Sequence, residues 1–180
     1  AHRRTTDMDK DTRMSTPAAA RTVSTPTRGG RSWLCLIPFV LLVAAVAALG
    51  GLASSNAQEV YGSLELPFFA PPAWLFGPAW AVFYTLIAVA GWLVFRARGF
   101  SFPLYLWAAQ LVLNALWTPL FFGAELYWLA FVDIAALWVA VVWCVAAFWK
   151  VSRLAAGLMV PYLGWVTFAA ALNLGIALLN

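Results

Sequence analysis

Residues 110–123 read QLVLNALWTPLFFG, an apolar run that carries two amides and a helix breaker. Gln110 and Asn114 are four residues apart, so on a helix they share one face, and Trp117 and Phe121 continue it at helical spacing. Pro119 cannot donate its backbone hydrogen bond and predicts a distortion at the far end of that helix. An amide in hydrocarbon is costly unless bonded, so this face must look into a bundle of helices and not at lipid. Two uses remain open for it. The amides can bind neighbouring helices together, or they can form part of the wall of a ligand site.

The composition puts this stretch inside a membrane. The chain is 64% hydrophobic and 10% charged, whereas soluble domains are about a quarter charged. There are 11 tryptophans, some of which serve as interfacial anchors. The single histidine, His2, lies outside every apolar span, which argues against a bis-histidine haem protein or an intramembrane zinc site. Cys35 and Cys144 fall in separate spans without a paired motif and are expected to be buried small hydrophobes.

Five apolar segments, at 33–53, 72–95, 103–122, 126–149 and 154–179, each approach the roughly 20 residues that a bilayer core requires. The expected fold is therefore all-α, an integral membrane bundle of five transmembrane helices. Pro103 suits a first helical position. Residues 1–32 hold seven Lys/Arg against three Asp and almost no large apolar side chains, so a disordered basic tail is expected there. The first segment, followed by Ser55, Asn56 and Ala57, also resembles a signal peptide. Its apolar run exceeds the usual length of about 7–15 residues, which favours a retained helix.

All 11 Lys/Arg lie in the tail, in 96–102 or in 150–153. The alternate connectors, 54–71 and 123–125, carry Glu59, Glu65 and Glu125 instead. This positive-inside pattern predicts a cytoplasmic N-terminus, compatible with a bacterial plasma membrane.

Several polar and aromatic residues then fall at mid-membrane to outer levels. Asp133 is the only carboxylate within a span, and an acid there faces a partner or a cavity. With no second acid or base in a span, an acid–base pair cannot be built. Trp80 and Tyr84 share a face of the second span, and Trp165, Ala169 and Asn173 share a face of the fifth. The connector 54–71, stiffened by Pro67, Pro71 and Pro72, would lie above them as a lid. Aromatic walls, a few amides and a lid suit a flat apolar ligand, although each tryptophan taken alone equally suits a bundle core. Small residues recur at four-residue spacing, in Ala44/Ala48, Ala47/Gly51 and Ala136/Ala140. They permit close helix approach within a bundle or in a homodimer.

Three blocks now carry a resemblance: YGSLELPFFAPPAWLFGPAWAVFY at 61–84, QLVLNALWTPLFFG at 110–123 followed by Asp133, and PYLGWVTFAAALN at 161–173. In this order they resemble the tryptophan-rich sensory protein, or translocator protein, family (TspO; peripheral benzodiazepine receptor). The likeness covers about residues 57–180. It implies a five-helix bundle, often a homodimer, whose one ligand pocket is closed by the first outer loop. It implies binding of porphyrins and haem, in some members sterols and isoquinoline-type ligands, and a role in tetrapyrrole handling and stress response. Light- and oxygen-dependent porphyrin breakdown is ascribed to some members, with tryptophans matching Trp80 and Trp165 as the catalytic residues. The pocket residues carried over are Tyr61, Trp80, Asn114, Trp165 and Ala169. Departures are Val60 where a tryptophan is common, Leu66 where a basic residue is common, and no sterol-type motif after Asn173.

The reading is thus a membrane protein that binds a porphyrin or haem in the outer half of the bundle. A photo-oxidative enzyme is the first alternative and a transporter the second. No repeat or set of midplane ion sites supports the transporter. The expected ligand-binding set is Tyr61, Trp80, Tyr84, Gln110, Asn114, Trp117, Phe121, Asp133, Trp165, Ala169 and Asn173. No metal and no resident cofactor are required, because porphyrin or haem enters as ligand. The other expected partners are the lipid bilayer and a second copy of the chain, and no nucleic acid.

Overall fold

The computed structural model describes residues 33–180; the tail expected to be disordered, 1–32, lies outside the described residues. Among the described residues, five helices are long and apolar enough to cross a membrane. They are α1 (Leu36–Ala53), α3 (Phe76–Arg98), α4 (Phe102–Thr118), α5 (Tyr127–Trp149) and α6 (Arg153–Leu179). A short helix, α2 (Ala57–Ser63), lies within the connector read from sequence as the lid. Among the described residues there is no strand, so the chain is an all-α membrane bundle.

Local chemistry sets the helix ends. Pro72 is extended (φ −63°, ψ 142°) and a single tight turn, Ala73–Leu75, leads into α3, which therefore begins later than hydropathy suggests. Arg96 and Arg98 occupy the last turn of α3, where cations complement the helix dipole. Gly99 then stops the helix with φ 61°. Pro103 sits at the start of α4, where its missing N–H costs nothing. Ser152 caps α6 by accepting from the Ala155 N–H at 3.2 Å.

The distortion expected at Pro119 takes the form of a wide turn over Pro119–Gly123. The Ala124 N–H reaches back to the Pro119 carbonyl at 2.8 Å, and Leu126 N–H to that of Leu120 at 3.0 Å. The Pro119 and Leu120 carbonyls are thus satisfied by loops of hydrogen bonding longer than the α-helical one.

The spans close into a ring. α1 packs on α3 and α4, α3 on α6, α6 on α5, and α5 on α4. α1 is the peripheral member. It buries only one narrow stripe, Phe39, Val43, Val46 and Gly50, and presents apolar side chains elsewhere, as suits a helix facing lipid. Cys144 is buried in the core, but Cys35 is exposed. The expectation of two buried cysteines fails at Cys35 because it precedes the peripheral helix, outside the ring.

Candidate functional site

A cavity of about 370 Å³ opens at the end of the bundle that carries α2. Ligand pockets span roughly 300–1,000 Å³. Its two sides differ in chemistry. α1 contributes Ala47, Gly50, Gly51 and Ser54, a wall without bulk. The aromatic lining comes from Phe76, Trp80 and Tyr84 of α3, Trp117 of α4 and Phe122 of the wide turn, interspersed with Gly77, Ala81 and Thr118. Trp80 stacks on Tyr84 with ring centres 5.2 Å apart, and Trp117 on Phe121 at 5.1 Å. These offset pairs present broad π surfaces.

α2 forms the roof with Ala57, Gln58 and Tyr61. The Tyr61 hydroxyl donates to the Pro71 carbonyl at 3.0 Å. Burial raises the Tyr61 pKa above the ordinary phenol value, so the proton needed for this bond stays in place at neutral pH. The remainder of the connector is seated on α6. The Glu65 N–H donates to Asn180 Oδ1 at 3.0 Å, and Asn180 Nδ2 donates to the Glu65 carbonyl at 3.1 Å. Pro67 lies against Gly175, where a Cβ would stand only 3.1 Å from its ring.

Behind the aromatic wall lies a buried hydrogen-bond chain. Tyr84 donates to Asn114 Oδ1 at 2.9 Å, Asn114 Nδ2 to the Tyr162 hydroxyl at 3.0 Å, and Tyr162 to Gln110 Oε1 at 3.2 Å. A second cluster ties three helices together. Trp117 Nε1 donates to Asn173 Oδ1 at 3.0 Å, and Asn173 Nδ2 donates to the Tyr127 carbonyl at 2.9 Å. The amides therefore do bond between helices, and two of them, Asn114 and Asn173, accept from residues of the cavity wall, Tyr84 and Trp117.

The sequence-expected residues separate into layers. Tyr61, Trp80, Tyr84 and Trp117 line the cavity. Gln110 and Asn114 sit one layer behind it, fully or almost fully buried. Phe121, Ala169 and Asn173 border a separate void of about 10 Å³, together with Tyr61, Phe76 and Trp117. Trp165 stands behind Trp80, edge to face at 6.3 Å, and its indole Nε1 is buried without a partner. Asp133 lines neither space, and its Oδ2 is buried without a partner.

The cavity residues that sequence reasoning missed are mostly small. Gly50, Gly77 and Ala81 carry no polar or aromatic signal of a site, and Ser54 and Thr118 carry only a small hydroxyl. Ala47 and Gly51, noted only for their packing spacing, line the cavity, while Ala44, Ala48 and Ala136 remain exposed. A second, almost wholly apolar groove of about 440 Å³ lies between α1, α4 and the end of α3. It contains none of the expected site residues. Among the described residues no group of His, Cys, Asp or Glu could hold a metal ion.

Comparison with known proteins places the chain. Residues 39–179 match the TspO/MBR family. A tryptophan-rich protein TspO of Archaeoglobus fulgidus is 40% identical over 151 residues, covering 82% of this chain and 97% of the relative. The tryptophan-rich sensory protein of Cereibacter sphaeroides is 35% identical over 148 residues, covering 82% of this chain and 92% of the relative. The translocator protein of Sus scrofa is 37% identical over 151 residues, covering 78% and 87%.

Proposed function

Because this chain belongs to the TspO/MBR family of multi-pass membrane proteins, we propose that its roofed cavity binds a porphyrin or haem-type tetrapyrrole, in tetrapyrrole handling or stress sensing. The observation that carries this reading is the asymmetry of the cavity. A stacked Trp80–Tyr84 pair and Trp117 bound the same cavity as the small residues Ala47, Gly50 and Gly51 of α1. A planar conjugated ring needs that geometry: π contact on one face, and no side chain competing for the space on the other. α2 roofs the cavity with Ala57, Gln58 and Tyr61. The distribution of Arg96, Arg98, Lys150 and Arg153 supports a roof on the outer face of the membrane, with the N-terminus inside. The absence of histidine from every span supports recognition of the macrocycle rather than of its iron.

The test is a pair of titrations, with metal-free protoporphyrin and with haem. The two are expected to bind with similar affinity. Binding of neither overturns the reading. A hundredfold preference for haem, about 2.7 kcal/mol, would reveal an axial ligand and shift recognition to the iron.

One contact favours a second reading. Trp165 lies directly behind Trp80, with the Phe83 ring against it at 5.3 Å, so the cavity wall is backed by a second indole. In this reading the bound porphyrin is degraded with light and oxygen through these tryptophans. Illumination of the complex in air then yields a new product, and Trp80→Phe or Trp165→Phe abolishes it. Quenching without product leaves binding alone.

A further inference from the structure

The chain of hydrogen bonds behind the cavity has one unbonded end. Gln110, Asn114 and Tyr162 are 0%, 2% and 0% exposed. Of the four linked residues, Tyr84 alone lines the cavity. At the far end, Gln110 Nε2 is buried and has no partner.

Each of the four groups can both donate and accept, so the chain can run in either sense. In the observed sense every proton points inward. Tyr84 commits its only proton to Asn114 Oδ1 and offers the cavity lone pairs. Half-turns of both amides, with rotation of both hydroxyls, exchange donors for acceptors at the same heavy-atom positions. Gln110 Nε2 then donates to Tyr162, Tyr162 to Asn114 Oδ1, and Asn114 Nδ2 to Tyr84. The Tyr84 proton is then free to face the cavity. Both senses keep three hydrogen bonds. Both also leave one buried orphan on Gln110, Nε2 in the first and Oε1 in the second. With the bonds equal in number and an orphan in either case, a single added hydrogen bond is enough to tip the balance.

We propose that Gln110, one layer removed from the cavity, is a positioning residue that lets Tyr84 present either an acceptor or a donor to the bound ligand. A ligand carboxylate or carbonyl selects the outward sense, and a ligand hydroxyl or ammonium selects the inward one. The cavity thereby accepts flat ligands whose polar edges differ in sign. The proposal deepens the ligand reading above and rests on it for the identity of the ligand.

Gln110→Met tests it. Methionine fills similar space and offers Tyr162 no comparable acceptor, so the inward sense would strand the Tyr162 proton. The chain is then held outward, with Tyr84 accepting from Asn114. In the full-length, ligand-free protein carrying ring-labelled tyrosine, the infrared C–O stretch of Tyr84 reports whether its hydroxyl donates. The band is assigned by difference from Tyr84→Phe. It is expected to move from the donor to the acceptor position in Gln110→Met, and equally in Gln110→Leu, which covers a failure of the first variant to fold. An unmoved band overturns the proposal whether or not any tetrapyrrole binds.

The ligand arm uses protoporphyrin, with its acceptor carboxylates, and a porphyrin bearing two alkylammonium groups. Gln110→Met is expected to shift their affinity ratio about tenfold toward protoporphyrin, or 1.4 kcal/mol. The same substitution in a Tyr84→Phe background is expected to leave the ratio unchanged. A ratio that moves equally in both backgrounds overturns the proposal. A moved band with no binding of either porphyrin retains the switch and overturns the tetrapyrrole reading instead.

Discussion

Gly91 in α3 and Gly51 in α1 both lack a side chain, yet one closes a helix crossing and the other leaves a space open. At Gly91 an added Cβ would stand 2.5 Å from the Trp107 ring. That ring is 2% exposed and is tied through Nε1 to the Ile87 carbonyl at 2.9 Å. The glycine is a socket for an indole, and α3 and α4 meet through it. At Gly51 an added Cβ meets nothing within 4 Å, because the residue faces the cavity. The crossing at Gly91 is thus packed to contact density, as protein interiors are. The site at Gly51 borders a void instead. A glycine in a membrane helix therefore indicates a close approach or an opening, and its neighbours decide which.

The largest expected effect comes from breaking the closed crossing. Gly91→Ala forces Trp107 away from a position fixed by packing and by a hydrogen bond. Overpacking of this kind costs about 1–3 kcal/mol. The ligand-free melting temperature is expected to fall clearly, while porphyrin affinity of the folded fraction stays within about twofold of the parent, or 0.4 kcal/mol. An unchanged melting temperature would show that α3 and α4 can separate without penalty.

The open side responds in the opposite way. Gly51→Leu places its side chain in the cavity without a clash and removes a helix glycine, worth about 1 kcal/mol in propensity. The melting temperature is expected to hold or rise, and protoporphyrin affinity to fall tenfold or more, at least about 1.4 kcal/mol. Full affinity in this variant would place the ligand elsewhere, and the apolar groove beside Cys35 would become the next candidate.

A smaller effect is expected at Ala169, which belongs to neither extreme. It borders the void of about 10 Å³, close to the space of a single water molecule. In Ala169→Thr the hydroxyl can bond back to its own helix while the methyl group takes up the void. Tyr61 and Phe76, which border both void and cavity, would then be pressed toward the ligand. Titration is expected to show a several-fold loss of affinity beside a nearly unchanged melting curve. A large drop in melting temperature would mean that the void cannot yield.

What the sequence alone determined about this protein is what local chemistry can encode. Runs of apolar residues set five membrane-spanning helices, Pro103 marks a start, and Pro119 marks the distortion that becomes the wide turn. The four-residue spacing of Gln110 and Asn114 put both amides on an inward face. Periodicity says which residues share a face, but not which helix lies opposite or whether the two faces touch. Those are properties of the ring in which α1 meets α3 and α4. Only that arrangement decided that the bland residues Ala47, Gly50 and Gly51 bound the cavity, that Trp165 stands behind Trp80, and that Asp133 faces neither space. It also decided that Gln110 reaches the cavity only through Tyr162, Asn114 and Tyr84. Small residues carry little pattern of their own, and a void is defined by what several distant segments leave unfilled.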